Sequence, residues 1–144
     1  MINSIEVRQA FQGLARELVS ARSNAPFKIV YKVTGLYMNL VATCLMHRPD
    51  LYDDPEGFVV PVDVSPHALH LSAYIREQCY VPDKGTWYSM KVTILTDNTA
   101  DINLNFDDEP LYFGESLDKI QYALDLKKFP VSELNQKPWL LLKF

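Results

Sequence analysis

The chain has 144 residues, 48% hydrophobic and 22% charged, which fits one globular domain with a core of useful size and argues against disorder. Its net charge of −4 is unevenly spread: residues 49–118 hold three Lys/Arg against fourteen Asp/Glu, between flanks of net +4 and +3. An acidic middle of that weight repels phosphate backbones and excludes nucleic acid as a partner, and no stretch reaches the length of a membrane span.

The N-terminus, MINSIEVRQAFQGLARELVSARSN, predicts an amphipathic helix from about Ser4 to Arg22 rather than a secretory signal, which places the chain in the cytoplasm. Ser4 is its expected cap, Glu6 suits the positive end of the helix dipole, and Val7, Phe11, Leu14 and Leu18 form one apolar stripe. FKIVYKV alternates apolar and basic residues as a half-exposed strand does. Thr34-Gly35 then predicts a turn, and LYMNLVATCLMH, apolar on both faces, predicts a central strand. RPDLYDDPEG is a loop carrying Asp50, Asp53, Asp54 and Glu56. FVVPVDV contains Pro61, so it belongs at a sheet edge. Ser65 and Pro66 open a second helix at cap and first-turn positions, with Ala68, Leu71, Ile75 and Cys79 along one side.

Residues 86–96 and 101–106 alternate about an Asp97-Asn98 turn and predict an antiparallel hairpin at one side of a single sheet. Tyr88, Met90, Val92 and Ile94 share one face of its first strand; Ile102, Leu104 and Phe106 share one face of its second. Leu117, Ile120 and Leu124 fit a short helix with Ser116 as its cap, and Trp139 is expected to dock the apolar tail KPWLLLKF onto the body. Together these elements predict an α+β fold: a single domain, mainly antiparallel β-sheet, with α-helices packed on one face.

Candidate chemistry is sparse. His67 and His70, three apart on a helix, could share a metal, but two more ligands would have to come from elsewhere. They read better as polar residues flanking an apolar stripe, and no metal or cofactor is expected. Cys44 and Cys79 follow neither a disulfide nor a zinc spacing and read as reduced, buried thiols. Nucleophile elbows, phosphate loops and dinucleotide fingerprints are missing from the sequence, so no catalytic residue is assigned. The aromatics Trp87, Tyr88, Tyr112, Phe113 and Tyr122 sit in acidic surroundings unsuited to base stacking. From Lys91 to Lys119 there is no basic residue but seven acidic ones, three of them consecutive: Asp107, Asp108 and Glu109.

Several short motifs, in order, carry a resemblance. They are Trp87 with Ser89, Phe106-Asp107-Asp108, Asp125-Leu126, Phe129-Pro130 and Pro138-Trp139. This order resembles the YezG-like immunity (antitoxin) family of bacterial polymorphic toxin and contact-dependent inhibition systems. The likeness covers the C-terminal half well and the N-terminal half in its order of elements. It departs at Val131, where Arg is expected after Phe-Pro, and at Pro138-Trp139, which lack an intervening residue. The resemblance implies a non-enzymatic cytoplasmic inhibitor, a monomer or weak homo-oligomer, whose partner is the C-terminal domain of a cognate toxin, often a nuclease. On that reading Asp107, Asp108 and Glu109, with Asp53, Asp54 and Glu56 as a second cluster, are the expected toxin-binding residues, imitating the charge of phosphates. Two other classes stay open: a general adaptor with an acidic face, and a small hydrolase built on paired carboxylates.

Overall fold

The computed structural model describes residues 5–20, 27–48 and 58–144. The expected Ser4 cap and the loop acids Asp50, Asp53, Asp54 and Glu56 lie outside the described residues. Helix α1 spans Ile5–Ser20, strands β1 Lys28–Leu36, β2 Asn39–Arg48 and β3 Phe58–Val62, and helix α2 Pro66–Gln78. Strands β4 Ser89–Ile94 and β5 Ala100–Asn105 come next, then helices α3 Lys119–Lys128 and α4 Pro138–Leu141. The strands form one antiparallel sheet in the order β3-β2-β1-β4-β5, so the fold is α+β as the patterning predicts. No helix among the described residues is long and apolar enough to cross a membrane.

Alternation builds the core. Ile29, Tyr31 and Val33 of β1, Cys44 and Met46 of β2, and Met90, Val92 and Ile94 of β4 point to one face. There they meet Ala10, Leu14 and Leu18 of α1 and Ala68 and Ile75 of α2. The Ser65 hydroxyl caps α2 by accepting from the Ala68 N–H at 3.1 Å, with Pro66 at the helix start. Inside this core the Tyr31 and Ser72 hydroxyls share a 2.8 Å hydrogen bond, a buried polar tie between sheet and α2. The expected hairpin forms, its ladder running over Ser89–Ile94 and Ala100–Asn105 rather than the full 86–96 and 101–106, with Asn98 at φ 68° in its turn and β5 as an edge strand. Pro61 sits on the other edge strand, β3, opposite Leu45.

Three expectations change. Thr34-Gly35 is not a turn: both residues continue β1, and the chain reverses at Tyr37-Met38, where Met38 takes φ 60°. Glycine serves there for close approach rather than for chain reversal. β2 is an inner strand as expected, paired with both β1 and β3, but it is not buried on both faces; Thr43 and Leu45 are exposed because helices cover only one side. Helix α3 is rotated from its expected face. It buries Tyr122 and Asp125 and leaves Ile120 68% and Leu124 50% exposed. Polar partners set that rotation: Tyr122 donates to Glu109 and Asp125 pairs with Arg76, and these bonds outweigh burying two aliphatic side chains. Its N-cap is Asp118 rather than Ser116.

Candidate functional site

The chain leaves β5 at Asn105, whose side chain organises the acidic turn beyond the strand. Its Oδ1 accepts from the N–H groups of Asp107 and Asp108, both at 3.1 Å, and its Nδ2 donates to the Asp108 carbonyl at 3.2 Å. This Asx arrangement satisfies backbone groups that would otherwise need water and fixes the backbone that carries both aspartates. Trp139 holds the same turn from the other side. Its Nε1 donates to the Asp107 carbonyl at 2.7 Å while its ring packs edge-on against Tyr88, 4.9 Å between centroids. The tail therefore docks through Trp139 as expected, into a second small core of Leu36, Tyr88, Tyr122 and Leu140.

The three acids are not equivalent. Asp107 is 79% exposed and forms a 2.8 Å ion pair with Lys137. Asp108 is exposed, and among the described residues its carboxylate has no partner. Glu109 belongs to the body of the protein: only 18% exposed, it accepts from the Tyr122 hydroxyl at 2.6 Å and pairs with Lys143 at 3.0 Å. Burial alone would raise the Glu109 carboxyl, but hydrogen bonds from Tyr122, Lys143 and Ser116 outweigh it and hold it below its ordinary value. The displayed charge is thus Asp107 and Asp108. Nothing in the local sequence marks Glu109 as different, since its partners lie 13 and 34 residues further along the chain.

Glu109→Gln is accordingly expected to destabilise the fold at neutral pH by about 1 kcal/mol, the net worth of a charge-assisted bond discounted for partial solvation. The carboxyl is depressed in the folded state, so its contribution is present above the unfolded carboxylate range and lost as pH falls through the folded value. Urea melts of variant and parent should differ at pH 7 and converge as the pH falls below the depressed folded value. A difference that persists at low pH would mean that the side chain acts through packing alone.

One constellation was not legible beforehand. Arg76 of α2 and Asp125 of α3 form a bidentate pair at 2.6 and 3.1 Å, buried to 3% and 8% exposure. Arg76 Nε also donates to the Trp87 carbonyl at 2.7 Å, and Asp125 accepts from the Tyr37 N–H at 2.7 Å. The guanidinium lies 5.1 Å from the Phe129 ring centroid. With all its polar atoms committed inward, this knot joins α2, α3, the β1–β2 turn and the start of β4; its role is architectural.

The remaining candidates are spread out. His67 is solvent-facing, 4.0 Å from Glu17, and His70 is exposed; among the described residues no cluster of three His, Cys, Asp or Glu forms around them. Cys44 and Cys79 are free and buried, and burial pushes both thiols up, Cys44 to about 11. A thiol so placed is a poor nucleophile. Trp87 is fully buried in the core and Phe113 is 90% exposed. Comparison with protein-family models gives no match, and comparison with curated proteins gives none either.

Proposed function

We propose that this chain is an immunity protein, a non-enzymatic cytoplasmic inhibitor that binds a cognate bacterial toxin domain and covers its active or substrate-binding surface. The observation that carries the reading is the turn whose backbone Asn105 and Trp139 fix and on which Asp107 and Asp108 are exposed. A preorganised turn backbone loses little freedom on binding, which favours affinity for a basic surface. Nucleases hold phosphates with Lys and Arg, so two exposed aspartates on a backbone-fixed turn, one of them paired only with the surface Lys137, suit a nuclease toxin. The resemblance to the YezG-like immunity family supplies the toxin as partner. Complementary fields would also speed capture of an incoming toxin.

The test is the Asp107→Asn/Asp108→Asn double variant, measured against the C-terminal domain of a polymorphic toxin whose gene adjoins this one, where the neighbouring gene encodes one. Glu109 is left intact because removing it would mix stability with binding. Rim charges act mainly through association rate and salt response. We expect association to slow by roughly tenfold at low salt and the salt dependence to flatten, with the melting temperature unchanged. Unaltered association at both salts in a normally folded variant would take this turn out of the interface.

A further inference from the structure

The edge strand β5 and helix α1 leave a largely apolar groove of about 480 Å³ between them, lined by Arg8, Phe11, Gln12 and Ala15 of α1 and by Ala100, Ile102 and Leu104 of β5. Ile102 is 39% exposed there although it alternates in phase with the buried Val92 opposite. Among the described residues β5 is hydrogen-bonded on one side only, to β4. The bond from Leu95 N–H to the Thr99 carbonyl sets the phase of the ladder. Asp101 and Asn103 therefore direct their backbone groups at β4, while Ala100, Ile102 and Leu104 direct theirs outward. The same three residues thus offer free backbone donors and acceptors along the edge and apolar side chains in the groove.

The two edges of the sheet are treated differently. β3 is five residues long and carries Pro61, the usual protection against strand addition. β5 has neither proline nor lysine. Its flanks are mainly acidic: Asp101 on its outer face, Asp97 before it, and Asp107 and Asp108 after it, against Lys91 opposite Asn103 on β4 and Lys137 paired with Asp107. Antiparallel pairing with a second copy would set the acids after one β5 against those before the other, so charge disfavours self-association.

We propose that β5 is a strand-addition site for an extended segment of a basic partner, whose alternate residues are apolar, to fill the groove, and Lys or Arg, to face Asp101 and the flanking acids. This deepens the toxin-inhibitor reading and rests on it for the source of the strand; the docking mode itself stands on the edge, the groove and the charge. Main-chain bonds supply affinity in this mode and alternate side chains supply specificity.

The experiment uses the isotopically labelled full chain and a short synthetic peptide alternating valine and lysine, with a valine–glutamate twin and a block-sequence peptide of the first one's composition as controls. Amide exchange at Ile102 and Leu104 should slow by roughly tenfold or more with the alternating basic peptide only. Ile102→Lys, which places a charge in the groove, should abolish the effect while the β4–β5 register persists in the spectra. Absence of protection at Ile102 and Leu104, or equal protection by either control, would overturn the proposal. Shifts confined to Asp107 and Asp108 would overturn it while leaving the acidic toxin surface standing. Protection of the same amides in a peptide-free dimer would also overturn it, making β5 a self-interface. Protection by the basic peptide without any affinity for the toxin domain would uphold strand addition and count against the toxin reading.

Discussion

Asp125→Ala is expected to cost about 3–5 kcal/mol of folding stability, because it leaves the buried Arg76 guanidinium without its bidentate partner. The Tyr37 N–H loses its acceptor as well. Against a total of roughly 5–15 kcal/mol for a domain, that loss brings the protein close to unfolding at room temperature. The comparison that isolates the cause is the double replacement Arg76→Met/Asp125→Leu. It removes the pair without orphaning a charge and should recover much of the loss. Urea denaturation of parent, single and double variants gives the answer. A single variant within about 1 kcal/mol of the parent would mean that water reaches Arg76 and solvates it.

The second large effect lies at Gly35→Ala. Gly35 has φ 150°, and a Cβ there would overlap the Asn39 carbonyl oxygen and approach the Tyr112 hydroxyl to 2.5 Å. The carbonyl belongs to the backbone at the start of β2 and has little room to move, since Leu36 and Asn39 close a two-residue turn. Backbone strain and overpacking together should cost about 2–4 kcal/mol. Because Gly35 N–H also bonds to the Tyr88 carbonyl at 3.1 Å, the damage should spread to the junction of β1 and β4. A thermal melt that leaves Gly35→Ala as stable as the parent would show that the β1–β2 turn relaxes freely.

Elements whose pattern is local were legible in the sequence. The period of two in residues 89–94 and 100–105 specified the hairpin, because one face of each strand must meet the helices and the other water. Ser65-Pro66 specified the start of α2, because cap chemistry is confined to one turn. Features made by distant partners were not legible. Asp125 sits in a helical pattern in which Leu117, Ile120 and Leu124 present the more obvious apolar stripe. Only Arg76, 49 residues earlier, explains why α3 turns its aspartate inward. Glu109 looks like the two acids before it until Tyr122 and Lys143 converge on it. Gly35 misled in the opposite sense, since a glycine needed for close contact and one needed for a turn look alike in sequence.

The same distinction divides the candidate site. The acidic run was visible as composition, but its division into two displayed aspartates and one built-in glutamate depends on the docking of the C-terminal tail. The groove beside β5 was hidden for a related reason. Ile102 and Leu104 have the alternation of core residues, yet α1 stops short of covering them, and no local pattern reports the distance between a helix and the edge of a sheet.

Whether this chain neutralises a toxin by binding it is decided by a growth assay paired with a binding titration. The C-terminal toxin domain encoded by a gene adjoining this one is expressed with and without this chain, and the purified pair is titrated by calorimetry. We expect arrested growth with the domain alone, restored growth with the pair, and a saturable complex of fixed stoichiometry whose affinity weakens with salt. Growth arrest that the intact, folded chain fails to relieve, together with no heat of binding, would contradict toxin neutralisation by this chain.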